Sequence, residues 1–348
     1  MRVLLTGHTG YIGSVMAPML RDAGHEVVGL DARFFASCTL GPPPDDGGTP
    51  VDIRDVTPGT LAGVDAVVHL AALSNDPLGN LNAELTREIN HRASVRLARA
   101  AKAAGAERFV FASSCSLYGV AGEGMLDETA RFNPITAYGE SKVLVERDVA
   151  GLADDGFSPT FMRNATAYGL SPRLRADVVV NNLVGYAFTT GQVLIQSDGT
   201  PWRPLVHVED FCRAFLTVLG APRERVHNQA FNVGRTAENY RVRDLADLVQ
   251  GLVPGSRVRY AEGAGPDPRS YRVDCSRLEQ TFPEYRPTWT VERGIVQLRD
   301  AFERNGLTEE EFLGDRYFRI KRIQYLQQAG RLDPDLRWSS PVAAGATA

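Results

Sequence analysis

The chain has 348 residues, 43% apolar and 23% charged, with a formal net charge of −4 and a pI near 5.9. That length suffices for one large domain with a smaller one attached, and the mild acidity argues against a nucleic-acid partner. The composition excludes collagen-like, low-complexity and membrane-spanning classes, because no apolar run reaches the roughly eighteen residues that a spanning helix needs.

Cys38, Cys115, Cys212 and Cys275 lie far apart and form no CxxC pair. Neither a zinc site nor a disulfide framework is expected, and a reducing, cytoplasmic setting suits such a chain. The opening MRVLLTGHTG is broken by glycine too soon for a signal peptide. Val3–Leu5, Val27–Leu30, Ala66–Leu70 and Phe109–Ala112 are apolar runs without polar alternation, the pattern of strands buried on both faces. Between the last two, Leu85, Ile89, Ala93, Leu97 and Ala101 recur every fourth residue, which predicts a helix from about Glu84 to Ala104. Strands alternating with helices imply an α/β fold, a doubly wound parallel sheet. Phe34 to Pro50, with its prolines and glycines, reads as an irregular loop. Beyond Gly169 the pattern changes: short strands at Val193–Ile195 and Val258–Tyr260 mix with a helix at Val242–Gly251. We therefore expect a cofactor domain over residues 1–170 and a smaller, partly interleaved α+β substrate domain over 171–300. A helical extension follows over 301–348, its last residues, PVAAGATA, frayed.

Thr6-Gly7-His8-Thr9-Gly10-Tyr11-Ile12-Gly13 follows the first strand and opens a helix. Gly7, Gly10 and Gly13 permit a tight turn, close backbone approach and close helix packing. The helix N-terminus, with Tyr11 and Ile12 in its entry, offers N–H groups to a pyrophosphate. Asp31 ends the second strand, where a carboxylate accepts hydrogen bonds from a ribose and repels a 2′-phosphate, favouring NAD over NADP. Arg33 nearby is a cation that could accept such a phosphate. With this GxxGxxG spacing the chain resembles the extended short-chain dehydrogenase/reductase family. Further landmarks agree with it: Asp52-Ile53 where the adenine is held, His69-Leu70-Ala71-Ala72 beside the cofactor, and Asn90 in the long helix. The resemblance runs from Met1 to about Leu298 and implies a Rossmann-type fold with NAD.

Tyr138 and Lys142 form a YxxxK pair, one helical turn apart on one face. A tyrosine with an ordinary pKa of about 10 is a poor base at neutral pH, and a neighbouring ammonium favours its phenolate. By resemblance to the family's SSxxxYG segment, Ser114 binds the sugar hydroxyl undergoing oxidation, and Ser113 lies beside the cofactor. The resemblance thus implies a base, Tyr138, that takes a hydroxyl proton while a hydride leaves the same carbon. Where sugar 4,6-dehydratases carry an Asp-Glu pair, this chain has Cys115 and Ser116. That points to an epimerase, like the UDP-glucose 4-epimerases. Cys115 is either a weak acid or a packing residue.

In RNATAYG the family's substrate asparagine is replaced by Thr166, with Asn164 two residues earlier; Asn181 and Asn182 open a helix and resemble the family's segment near the nucleotide diphosphate. Arg203 and Arg269 are candidate ligands of the substrate's diphosphate. No histidine has ligand spacing, so no metal is assigned. By analogy with the family a homodimer is expected, with a nucleotide-diphosphate sugar as substrate and neither nucleic acid nor membrane as partner. A 4-keto-sugar reductase, a dehydratase and a non-catalytic NAD-binding protein are the competing readings.

Overall fold

The computed structural model describes residues 1–44, 49–74, 79, 82–120 and 124–340. The expected frayed tail and the Gly47-Gly48 part of the loop lie outside them. Five strands come first: β1 (Arg2–Thr6), β2 (Glu26–Asp31), β3 (Thr49–Pro50), β4 (Ala66–His69) and β5 (Arg108–Ser114). They join Ser158–Asn164 and Gln229–Val233 in a seven-stranded sheet whose pairings are all parallel. Its order, from Gln229–Val233 through Ser158–Asn164, β5, β4, β1 and β2 to β3, reverses direction between β1 and β4. The carboxyl ends of those two strands therefore open the crevice where such sheets bind ligands.

Both faces of the sheet are covered, which explains why its strands lack polar alternation. Leu4, Val67, Phe109, Phe111 and Phe161 face one core, with the helix Ala93–Ala103. Val3, Leu5, Ala66, Val68, Val110 and Met162 face the other, with the helices Gly13–Asp22 and Val208–Gly220. A third core joins the helices Val179–Thr190, Val242–Leu252 and Val291–Arg304 to the strand Gln192–Ser197.

Three elements differ in detail from the sequence expectation. The long helix contains a π segment at Arg87–Arg92. There Asn90 Oδ1 accepts from Leu73 N at 2.7 Å and Nδ2 donates to Leu73 O at 3.0 Å, so the extra residue coincides with a side chain that holds the loop after β4. The loop after β2 ends in a short edge strand, where Pro50, which has no N–H to donate, is tolerated. Among its described residues the C-terminal extension carries the end of the helix Val291–Arg304 and the short helices Glu309–Leu313 and Arg319–Gln328, and then closes on an antiparallel bridge between Leu332 and Trp338. Its Ile323, Leu326, Leu332 and Leu336 complete the first core.

Two buried histidines tie the layers together in neutral form. His69 Nδ1 meets Thr6 Oγ1 at 2.6 Å and Nε2 meets Ser94 Oγ at 2.8 Å; Ser94 itself donates to Asn90 O. His207 accepts from Glu209 N, meets Gln297 Oε1 at 2.8 Å and stacks on Trp289. Burial pushes His69 down to about 3 and His207 down to about 4. Below pH 6.5 the unfolded chain takes up protons that the folded one refuses, so stability is lost as pH falls from 6.5 toward these values. At pH 5 each histidine is expected to remove about 2 kcal/mol. Thermal melts at pH 7.5 and pH 5 check this, and an unchanged melting temperature contradicts it.

Candidate active site

The helix Ala137–Ala150 begins where Thr136 Oγ1 accepts from Gly139 N at 3.1 Å. That cap fixes the first turn, which carries Tyr138; Lys142 follows one turn later. Lys142 is buried. Its Nζ donates to Ala112 O at 2.7 Å and lies 4.6 Å from the Phe111 ring centroid and 5.4 Å from that of Tyr138. Burial pushes its pKa down to about 7. Opposite, β5 ends at Ser114, whose Oγ accepts from Ser116 N and donates to Ser116 Oγ, both at 3.1 Å. Ser114, Ser116, Tyr138 and Lys142 line one cleft of about 970 Å³.

Gly139 lets the helix approach this turn, because a Cβ there would lie 2.9 Å from Ser116 O. Gly139→Ala is expected to cost about 1–3 kcal/mol by overpacking. It should also lower turnover by moving Tyr138 away from Ser114. Denaturant unfolding and steady-state kinetics on the variant check both effects.

Below the cleft runs a buried polar network. Ser113 Oγ donates to Glu146 Oε1 at 2.5 Å, and Arg163 forks onto the same carboxylate, with Nη2 2.8 Å from Oε2. The Ser113 hydroxyl is thus committed to Glu146, although the residue still lines the cleft. Cys115 is not among the lining residues. Its thiol donates to Arg163 O at 3.2 Å, and burial drives its pKa far up, so it packs rather than serving as an acid.

Asn164, Thr166, Asn182, Arg203 and Arg269 line the cleft; Asn181 does not. Asn181 instead accepts from Gly169 N and donates to Arg175 O and to the Tyr11 hydroxyl, at the root of its helix. Asn164 Nδ2 donates to Ser113 O and Met162 O, while its Oδ1, buried, has no partner among the described residues. Arg203 and Arg269 converge on Asp267, with nitrogen–oxygen distances of 2.7 and 2.6 Å. The sequence reading missed Arg175, which forks onto Asp177 and reaches Ser74 Oγ at 3.1 Å; all three line the cleft. No known motif marks them. Thr136 was findable as a capping residue before the Tyr138 helix.

At the crevice, Gly7 has φ +73°, and a Cβ there would lie 3.0 Å from Ala71 N. A Cβ on Gly13 would strike Gly7 O at 2.1 Å, and Gly10 N bonds Gly7 O at 3.0 Å. Asp31 accepts from Thr9 N and Arg33 N. Tyr11, Ile12, Leu70 and Ala72 line the cleft; Gly7, Gly10, Gly13, Asp31, Asp52, Ile53 and Ala71 do not. Ile53 is buried in the core beside Leu30. Both carboxylate oxygens of Asp52 are engaged by Arg54, and Arg337 lies 3.5 Å away. Among the described residues no cluster of His, Cys, Asp and Glu could hold a metal, and no helix is long and apolar enough to cross a membrane.

Residues 3–234 match the family described as NAD dependent epimerase/dehydratase. The chain belongs to that family. A UDP-glucose 4-epimerase of Corynebacterium glutamicum is 28% identical over 92% of this chain and 99% of its own length. UDP-glucuronic acid decarboxylase 1 of Arabidopsis thaliana is 25% identical over 90% of this chain and 72% of its own. The structure of MoeE5 in complex with UDP-glucuronic acid and NAD superposes with a TM-score of 0.74 and 29% identity, covering 87% of this chain and 99% of that one.

This family member is an NAD-dependent enzyme on an extended short-chain dehydrogenase/reductase fold. The residues present fit the cofactor. The turn Gly7–Gly13 leads into a helix N-terminus, Asp31 ends β2 beside it, and Asn164, whose buried Oδ1 has no partner among the described residues, lines the cleft.

Proposed function

We propose that the protein is an epimerase of a nucleotide-diphosphate sugar. One observation carries this choice among the family's chemistries. Among the described residues, the carboxylates lining the cleft are Asp177 and Asp267, and each is paired with arginine. With Cys115 buried away from the cleft, Tyr138 is the group placed to move a proton, and no second acid is poised to expel water. NAD, when bound, would supply the acceptor and then the donor of the hydride. Tyr138 takes the proton of the sugar hydroxyl, Ser114 orients that hydroxyl, and Lys142 favours the phenolate. Arg203 and Arg269, held together by Asp267, anchor the diphosphate, about which the keto sugar turns to present its other face.

The same cofactor serves both half-reactions, so product should accumulate over many turnovers with no change in absorbance at 340 nm and no need for added NADH. Steady consumption of NADH would support the keto-sugar reductase instead.

We further propose that residues 1–170 form the cofactor domain and 171–300 most of the substrate domain, with Gln229–Val233 returning to the cofactor sheet. We propose a cytoplasmic homodimer. The four buried free thiols suit a reducing compartment, and by analogy with the family the helices at about Glu84–Ala104 and Tyr138–Ala153 would form the dimer face. A monomer mass at micromolar concentration would contradict the dimer.

A further inference from the structure

The family match ends at residue 234, yet the C-terminal segment from Tyr317 on is bonded to the loops that carry Asp31, Asp52 and Ile53, the residues expected at the adenosine end of NAD. Trp338 Nε1 donates to Ala32 O at 2.6 Å, one residue after Asp31, and its ring packs 5.8 Å from that of Phe34. Arg337 pairs with Asp55 and lies 3.5 Å from Asp52. Arg54 returns the contact, donating to Asp335 O at 2.7 Å and Leu336 O at 3.1 Å. Further back, Tyr317 donates to Thr39 O, and Arg322 donates to Ser37 Oγ at 2.8 Å. Arg319, buried and forming no ion pair among the described residues, lies over the Phe35 ring and donates to Arg173 O; Arg173 Nε donates to Thr9 O in the glycine turn.

One segment thus touches the loop after Asp31 and the turn of Asp52 and Ile53, and reaches the glycine turn only through Arg173. A loop of prolines and glycines such as Thr39–Pro44 has no internal reason to hold one shape. These bonds supply one.

We propose that Trp338 and Arg337 are positioning residues for NAD: they hold the Ala32–Leu40 loop and the Asp52–Asp55 turn in the shape that binds the adenosine end of the cofactor. Asp52 then serves as the tie between that turn and the C-terminal segment. The inference rests on the family's cofactor and not on the epimerase reading, so it stands or falls independently of the reaction catalysed.

The test is calorimetric titration of the full chain, stripped of cofactor, with NAD and separately with UDP as the probe of the substrate side. Arg337→Gln is a part-exposed change that leaves the core intact, and Trp338→Ala is the stronger perturbation. Both are expected to weaken NAD at least tenfold and leave UDP within twofold, with Arg337→Lys restoring most of the loss. Circular dichroism at the titration temperature confirms that each variant is folded; should Trp338→Ala unfold, Arg337→Gln and its lysine rescue decide alone. NAD affinity within twofold of the parent in Arg337→Gln overturns the proposal. So does a parallel loss of NAD and UDP, which would mark a general structural role.

Discussion

Replacing Tyr138 by Phe is expected to lower turnover by roughly 10²–10⁴-fold, the usual contribution of a positioned acid–base group. The change removes one hydroxyl and leaves the ring beside Lys142, whose ammonium is held by Ala112 O and not by the phenol. NAD retention and substrate binding should therefore survive, and the loss should fall on kcat with KM little changed. Steady-state kinetics on the variant, with bound NAD measured after denaturation, check both halves of this expectation. Undiminished activity would remove Tyr138 from the chemistry and revive the reading of a non-catalytic NAD-binding protein.

The second large effect is expected beneath the site. Arg163 and Glu146 form a buried pair with side-chain exposures of 8% and 7%. Glu146 lies one helical turn past Lys142, so Tyr138, Lys142 and Glu146 share one face of the helix. The pair is fully engaged. Arg163 also donates to Glu128 O at 2.9 Å and to the Tyr118 hydroxyl, which in turn bonds Asn232 Oδ1 at 2.7 Å. Arg163→Met leaves the Glu146 carboxylate uncompensated, and breaking such a pair costs about 3–5 kcal/mol. Replacing both, as Arg163→Met with Glu146→Leu, should recover part of the loss, because the unpaired carboxylate is removed with its partner, while buried Lys142 gives up the nearby Glu146 charge. Denaturant unfolding of the two single variants and the double one measures the coupling. A single-variant loss below about 1 kcal/mol would mean that water reaches the carboxylate.

What could be read from the sequence follows the physics of repetition. The four strand runs were legible because the sheet is covered on both sides, leaving continuous apolar stretches such as Phe109–Ala112. The glycine turn and the Tyr138–Lys142 pair were legible because one backbone path and one helical turn impose fixed spacings. Features made by distant segments were not. Nothing around Arg175 announces that it will reach Asp177 and Ser74 on the cleft wall. Asp52 carries the family's adenine position but gives its oxygens to Arg54, with Arg337 close by, a pairing that depends on where the Leu332–Trp338 turn returns. Cys115 follows Ser114 directly, yet the short 3-10 turn at Cys115–Tyr118 sends its thiol to the Arg163 carbonyl and keeps Ser116 on the cleft.

The account's central claim is that this cleft oxidises a sugar and returns the same hydride without losing an atom. The most direct measurement is incubation of the purified protein, with no added cofactor, with a panel of nucleotide-diphosphate hexoses and uronates, read by NMR and mass spectrometry. The account predicts an epimer of unchanged mass from at least one of them; a product lighter by water or carbon dioxide would contradict it.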